Sequence, residues 1–421
     1  MIWTARLWRG AWKTNGFSMR AQTVGLLVLV GVVPLPLLVL AGMEHAMHAF
    51  LAVTFLGAAS KVLGEQQSAR SLPWLSFLMG AARFEGVFLG AFAALALARQ
   101  KRFGAAAATV GAAFLPFVLH GLMARSQGWP FVAASVALKS RPPHFSLGGA
   151  VDLAGVIVLK WLLIWGCTAM ALVAFGLARR QSVPPALRAA LPLYGAATLA
   201  HVALALAGSF FRYDAYLFAL GIAVLWPALV VAFPRERTWK TMPLQLAGLF
   251  VVAAWGMRAV SGVQSAAPGT RNIWRQQRQM ARFVAECYPR ETVAFNDIGA
   301  TDWASANRTG GRAALDLFGL SERETLRVRL SDPQMVLWPR EAQRIVKARG
   351  VRLAIIYDSW FEPHLLGPEW TRVARWDCGS IVTSTDRRVS FWTTKDNAVR
   401  LRAQLKAFES RLPRGVAVLR D

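Results

Sequence analysis

The sequence predicts a polytopic α-helical membrane bundle of about nine segments followed by a C-terminal soluble α/β domain. Three observations predict it. Apolar runs close to the ~20 residues that cross hydrocarbon recur between residues 22 and 262. Basic residues gather between those runs, and from residue 264 the pattern changes to short strand-like and helix-like stretches in alternation. Hydrophobic residues make up 55% of the chain and the mean hydropathy is +0.37, which fits a membrane protein better than a single soluble globule.

The first element is a basic arm carrying Arg6, Arg9, Lys13 and Arg20, which turns apolar from Val24. No small-residue cleavage site follows, so it reads as an uncleaved helix and not as a signal peptide. Residues 22–42, 45–62, 104–123, 151–177, 189–209, 216–233 and 242–262 read as spans. Between them, residues 71–99 form two shorter apolar stretches around the polar tip Arg83, Phe84, Glu85 and Gly86, a short helical pair or bent hairpin.

The net charge of +25 resembles a nucleic-acid footprint until it is located. Residues 1–263 hold 22 Lys and Arg against 6 Asp and Glu, and the remainder holds 26 against 17. In the first part the basic residues lie mostly between apolar runs, where cytoplasmic loops keep them. Membrane topology therefore accounts for that excess, and no nucleic-acid partner is implied. If the segments alternate, the N-terminal arm, Arg99 with Lys101 and Arg102, Arg179 with Arg180 and Arg188, and Arg235 with Arg237 and Lys240 all fall on one side, the cytoplasmic one. Residues 42–45, 83–85, 124–149 and 210–216 then fall on the other side together with the soluble domain. In a bacterium this is an inner-membrane, multi-pass protein with a periplasmic C-terminal domain.

The predicted domains are residues 1–263 and 264–421. The second opens with the basic amphipathic stretch RNIWRQQRQMARFVAECYP and continues through TVAFNDIG, RAALDLFGL, a helix near 340–349, the apolar VRLAIIYD, strands near 371–377 and 388–394, and a final helix near 395–409. Of three cysteines, Cys167 lies in an apolar run, while Cys287 and Cys378 are a candidate disulfide for a domain in an oxidising compartment.

The membrane part has six carboxylates. Glu65 and Glu236 fall in cytoplasmic loops, and Asp152 opens a helix, where the dipole favours an acid. Glu44, Glu85 and Asp214 all lie at outer helix ends, each beside a basic or imidazole neighbour: His45, Arg83 and Arg212. Ionisable groups at membrane depth persist where they pair or do chemistry, so the three read either as one polar cavity or as three local ion pairs. The outer loop RSQGWPFVAASVALKSRPPH mixes Arg125, Lys139 and Arg141 with Trp129 and Phe131, a combination that suits a lipid-linked phosphate or phospholipid head groups.

The strings GMEHAMHAF, AARFEGVFLGAF, GWPFVAASVALKS and FFRYDAYL, followed by VAFNDIGA and LDLFGL, occur in an order and spacing that resembles a bacterial GT-C type membrane glycosyltransferase family. The branch is similar to arabinofuranosyl- and mannosyltransferases that use polyprenyl-phosphate sugars, and the likeness runs from about residue 30 to about residue 325. The resemblance implies transfer of a sugar from a polyprenyl-phosphate donor to a glycan or lipid acceptor of the cell envelope. Such chemistry needs a general base for the acceptor hydroxyl and cations for the departing phosphate. Carried over, Glu44, Glu85 and Asp214 are the catalytic candidates, with His45 beside them. Arg83, Lys139, Arg141 and Arg212 are donor contacts, and Asn296 and Asp297 face the acceptor or shape a strand-to-turn junction. No metal-ligand cluster argues for a cofactor, and a divalent cation stays open.

The family pattern carries an extra N-terminal helix and an acidic outer loop that this sequence lacks, since no Asp or Glu precedes Glu44. Truncation, a partner supplying the missing helices, and a degenerate non-catalytic member are the three explanations. Outside this family, a transporter or flippase of lipid-linked sugars and a non-enzymatic membrane protein are the alternatives. No internal repeat supports a transporter.

Overall fold

The computed structural model describes residues 18–40, 44–139, 184–205, 210–232, 242–303, 314–332, 338–360, 365–379 and 381–421. The chain folds as two compact units, residues 1–131 with 139–264, and residues 132–138 with 265–421.

In the first unit, α1 (Met19–Val32) begins where Ser18 Oγ accepts from Ala21 N–H at 3.3 Å, and it ends at Val33 and Pro34. A short helix, α2 (Leu35–Leu40), follows. The expected span over 22–42 is thus broken by its own prolines. Next come α3 (His45–Gly64), the short pair α4 (Leu72–Ala82) and α5 (Gly86–Arg99), and α6 (Phe103–Ser126). Helix α7 (Ala134–Lys139) belongs to the second unit except for its last residue, and the first unit resumes with α8 (Pro185–Leu204), α9 (Ala215–Ala232) and α10 (Met242–Arg275), of which residues from 265 on belong to the second.

Helix α3 is the centre of this unit. It packs against α4, α8 and α9, and its buried face, from Ala49 and Ala52 to Ala59 and Val62, belongs to one continuous apolar core. Its last carbonyls are satisfied from the turn between α5 and α6: Gln100 donates to Leu63 O and Arg102 to Val62 O. The helices approach closely where side chains are smallest. A Cβ on Gly64 would lie 2.4 Å from the Pro185 carbonyl oxygen, and one on Gly80 would lie 2.5 Å from that of Ala113.

The expected bundle of about nine segments, seven of them of span length, is corrected here. Among the described residues three helices are long and apolar enough to cross a membrane: α3, α6 and α8. Helix α1 has 14 residues and α4 has 11, so at 1.5 Å per residue they reach roughly 21 and 16 Å, short of the ~30 Å hydrocarbon core. Counting apolar runs treats each as a span, whereas proline breaks and early caps decide how far each helix reaches. The run 151–177 lies outside the described residues.

The second unit is built on a six-stranded mixed sheet. Helix α11 (Gln277–Cys287) precedes β1 (Val293–Phe295), and β2 (Leu315–Asp316) is followed by α12 (Arg323–Ser331) and α13 (Trp338–Ala348). Then come β3 (Leu353–Ile356), β4 (Trp370–Asp377), β5 (Arg388–Thr394), α14 (Ala398–Glu409) and β6 (Ala417–Arg420). The spatial order is β2-β1-β3-β5-β4-β6, parallel across the first three strands and antiparallel beyond.

Strand alternation sorts side chains into two cores. Val293, Phe295, Leu353 and Ile355 meet Phe283 of α11 and Leu401, Leu405 and Phe408 of α14 on one face. Ala294, Ala354 and Ile356 meet Trp338, Ala342 and Ile345 of α13 on the other.

The candidate disulfide is also corrected, because Cys287 and Cys378 are free thiols. Cys378 is buried against the Arg275 carbonyl, just before α11 begins, at 3.6 Å. Cys287 closes the same helix at its other end, ten residues after Gln277 and therefore ~15 Å along the axis. Bridging requires Cα atoms within about 7 Å.

Candidate functional site

Within the first unit, three chain segments that are far apart in sequence meet: the start of α3, the tip between α4 and α5, and the start of α9. The tip residue Arg83 ties them. Its Nη1 donates to Glu44 Oε1 at 2.5 Å, while Nε and Nη2 donate to the two Glu85 oxygens at 3.2 and 2.7 Å. Arg83 Nη1 also lies 2.7 Å from His45 Nε2. A guanidinium has no acceptor, so Nε2 must accept and the imidazole proton sits on Nδ1, 3.7 Å from Glu44 Oε1.

The fork is unevenly exposed. The Arg83 side chain is 12% exposed and Glu85 17%, whereas Glu44 is 40% exposed and is the carboxylate most open to an incoming group. Burial alone would push the Glu85 carboxyl up, but the Arg83 hydrogen bonds and charge outweigh it and hold it below the usual carboxylate range. Burial likewise works against the Arg83 charge, and the Glu85 and Glu44 carboxylates overcome it, so the guanidinium is held protonated more firmly than usual.

Tyr213 closes the side of the cluster nearest α9. Arg83 lies 5.4 Å from its ring centroid and Arg212 5.6 Å, and the His45 ring is 5.9 Å away. Deeper in, His48 stands 4.5 Å from the Tyr216 ring, and the Tyr216 hydroxyl is 3.0 Å from His201 Nδ1. All three are buried. Phe84, at the tip, packs edge-on to Phe117 at 5.3 Å, and Phe117 packs on Phe131.

Asp214 has a strong partner of its own. It takes Arg258 of α10 as partner at 2.6 Å, with both side chains under a tenth exposed. Arg258 also donates to Val32 O at 3.0 Å and lies 3.8 Å from the Phe218 ring centroid, so the pair ties α1, α9 and α10 together. Beside its sequence neighbour Arg212, Asp214 thus has a partner 44 residues away. Lys139 ends a described segment without a described side chain, and Arg141 lies outside the described residues.

Asn296 and Asp297 lie in the second unit, at the carboxyl end of β1. Asn296 Oδ1 accepts from Tyr357 N–H at 3.1 Å. Asp297 accepts from the Tyr357 hydroxyl at 2.8 Å and from Gln277 Nε2 at 3.0 Å. Among the described residues, no group of three or more His, Cys, Asp or Glu could hold a metal ion.

Sequence reasoning missed Arg258, His48, His201, Tyr213 and Tyr216. For three of them a signal existed: an arginine or histidine alone inside an apolar run. The two tyrosines carry no such mark.

Residues 271–392 match the family model of a Domain of unknown function (DUF8728). No curated protein and no solved structure matches the chain. The matched stretch runs from the last turn of α10 to within β5 and includes Asn296, Asp297 and Tyr357.

Proposed function

We propose that this chain is a membrane glycosyltransferase. In this reading it passes a sugar from a polyprenyl-phosphate donor to a glycan or lipid acceptor on the periplasmic side of a bacterial inner membrane. The observation that carries it is the convergence of Glu44, His45, Arg83 and Glu85 with Arg212 and Tyr213 at one end of the helices. Two carboxylates, an imidazole and two guanidiniums at helix ends are the groups that acceptor deprotonation and phosphate departure require.

Each residue then has a role. Glu44, the most open carboxylate, takes the proton of the acceptor hydroxyl. His45 accepts from Arg83 and helps to fix the guanidinium beside that carboxylate. Arg83 is a positioning residue, since its bonds go to Glu44, His45 and Glu85, and Arg212, which lies over the Tyr213 ring, is the cation assigned to the phosphate. Asp214 supports the site through Arg258 and does not react.

The test is transfer of labelled sugar from polyprenyl-phosphate donors by the purified chain in lipid vesicles. Glu44→Gln is expected to lower the rate by ~100-fold or more, and Arg212→Ala to weaken donor use. No transfer by the unaltered chain with hexose or pentose donors would sink the reading.

One observation favours a second reading, a non-catalytic membrane protein. Four hydrogen bonds from Arg83 end on protein groups, so the cluster also works as a lock that holds three helix ends. Under that reading Glu44→Gln lowers the melting temperature and there is no activity to lose.

A further inference from the structure

The sheet of the second unit has a change of direction that the proposed chemistry does not use. From β1 the chain leaves to pair β2 on one side, then returns to pair β3 on the other, and all three run parallel. In open α/β sheets, the crevice outside the carboxyl ends of two such strands is where ligands bind. Here those ends carry Asn296 and Asp297 after β1 and Tyr357 to Trp360 after β3.

The polar groups at this point are dense and incompletely matched. The Tyr357 hydroxyl lies 2.8 Å from Asp297 Oδ2 and 3.0 Å from Gln276 Oε1, two acceptors for a single proton. Gln277 Nε2 bonds Asp297, yet Gln277 Oε1 is buried without a hydrogen-bonding partner among the described residues, and so is Asn296 Nδ2. Both side chains are more than nine-tenths buried. A buried acceptor and a buried donor left over beside a carboxylate make an arrangement that native proteins rarely keep without use.

Aromatic rings stand next to this network. Trp360 packs 5.5 Å from Tyr357 and 5.0 Å from Phe318, which follows β2, and both outer rings are half-exposed. Two residues past Asp297, Gly299 has φ +118°, and among the described residues a Cβ there would meet nothing within 4 Å. Aromatic faces beside a carboxylate and carboxamides form a surface that accepts the C–H face of a sugar ring on one side and its hydroxyls on the other.

We propose that the carboxyl ends of β1, β2 and β3 bind a neutral saccharide, with Trp360 as the stacking face and Asp297, Gln277 and Asn296 as the hydroxyl partners. This deepens the transferase reading by placing an acceptor-glycan site in the second unit, and it rests on that reading for the role of the sugar but not for its binding.

The test is saturation-transfer difference NMR on the full chain in nanodiscs. The probes are neutral di- and trisaccharides of hexopyranose and pentofuranose at about 10 mM, a range that detects weak binding. Saturation transfer to at least one probe is expected. Trp360→Ala and Asp297→Asn should each weaken it ~10-fold or more, and Trp360→Phe should retain most of it. Both weakened variants are checked for an unchanged melting temperature, and the Trp360→Phe result reports on stacking if Trp360→Ala fails to fold. No transfer to any probe overturns the proposal, as does binding that survives both Trp360→Ala and Asp297→Asn. Binding without sugar-transfer activity leaves this site standing while the transferase reading falls.

Discussion

At the residue scale the most consequential pair is Asp214 with Arg258. Both are buried, so removing one charge strands the other in a medium that solvates it poorly. Arg258→Ala is expected to cost about 3–5 kcal/mol of stability, read as a lower melting temperature in detergent. Asp214→Leu combined with Arg258→Met should recover most of that loss, and a double variant no better than the single one would contradict the account. The pair was invisible to sequence neighbours because its members lie 44 positions apart. What the sequence does display is Arg258 alone in an apolar run, a residue that needs a partner without naming it.

Glu85 gives a pH dependence with a definite sign. Its carboxyl is held below the usual range, so the unfolded chain binds its proton more readily than the folded one. The stabilisation is therefore complete above the unfolded carboxylate value of about 4.3 and is lost as pH falls through the lower folded value. Melting temperatures measured from pH 6 downward should decline in that window, and Glu85→Gln should flatten the decline. An equal slope in the variant would place the acid sensitivity elsewhere. Glu44, Arg83 and Glu85 could be picked from sequence because each stands at the end of an apolar run, but their mutual geometry could not, since it depends on how α3 meets the α4–α5 tip.

At the element scale, packing is set by small residues at helix crossings. Gly80→Ala puts a Cβ against the Ala113 backbone oxygen, which cannot rotate away, so a loss of about 1–3 kcal/mol is expected. Gly57 is the contrast, an exposed position in α3 where a Cβ meets nothing within 4 Å. Gly57→Ala should be neutral or stabilise by about 0.5–1 kcal/mol. Thermal unfolding of the two variants side by side checks both, and equal effects would show that crossing geometry does not control stability here.

Element positions are legible where a pattern is strong and lost where it is weak. VRLAIIYD is apolar almost throughout and contains β3, while the amphipathic α11 and α14 show their buried stripes directly. Strand β2, only two residues long, lies inside the strand-like RAALDLFGL, whereas β6 is a short edge strand with exposed ends and carries too little alternation to announce itself. The span count failed for a related reason: hydropathy reports what a segment is made of, and the reach of a helix depends on where Pro34 or an early cap stops it.

At the scale of the whole molecule, the two units have separate cores. The first is held by one apolar core around α3, with α3, α6 and α8 long enough to cross a bilayer, and the second has a separate core on each face of its sheet. The thiols of the second unit test its compartment logic. Burial pushes the Cys378 thiol up to about 12, so at pH 8 it is almost entirely protonated. Native-state alkylation should leave Cys378 unmodified until the protein is denatured, and no Cys287–Cys378 crosslinked peptide should appear in non-reducing digests. Recovery of that peptide would contradict the helix-length argument.

One contact in the second unit has a temporal meaning. Asn272 Oδ1 accepts from the backbone N–H groups of Val382, Thr383 and Ser384 and from the hydroxyls of Thr383 and Ser384, between 2.7 and 3.3 Å. Three consecutive amides thus share a single acceptor, and a rotation of one side chain releases them all. In hydrogen–deuterium exchange these amides should behave as one clock, exchanging with a common opening rate, and Asn272→Ala should speed all three together.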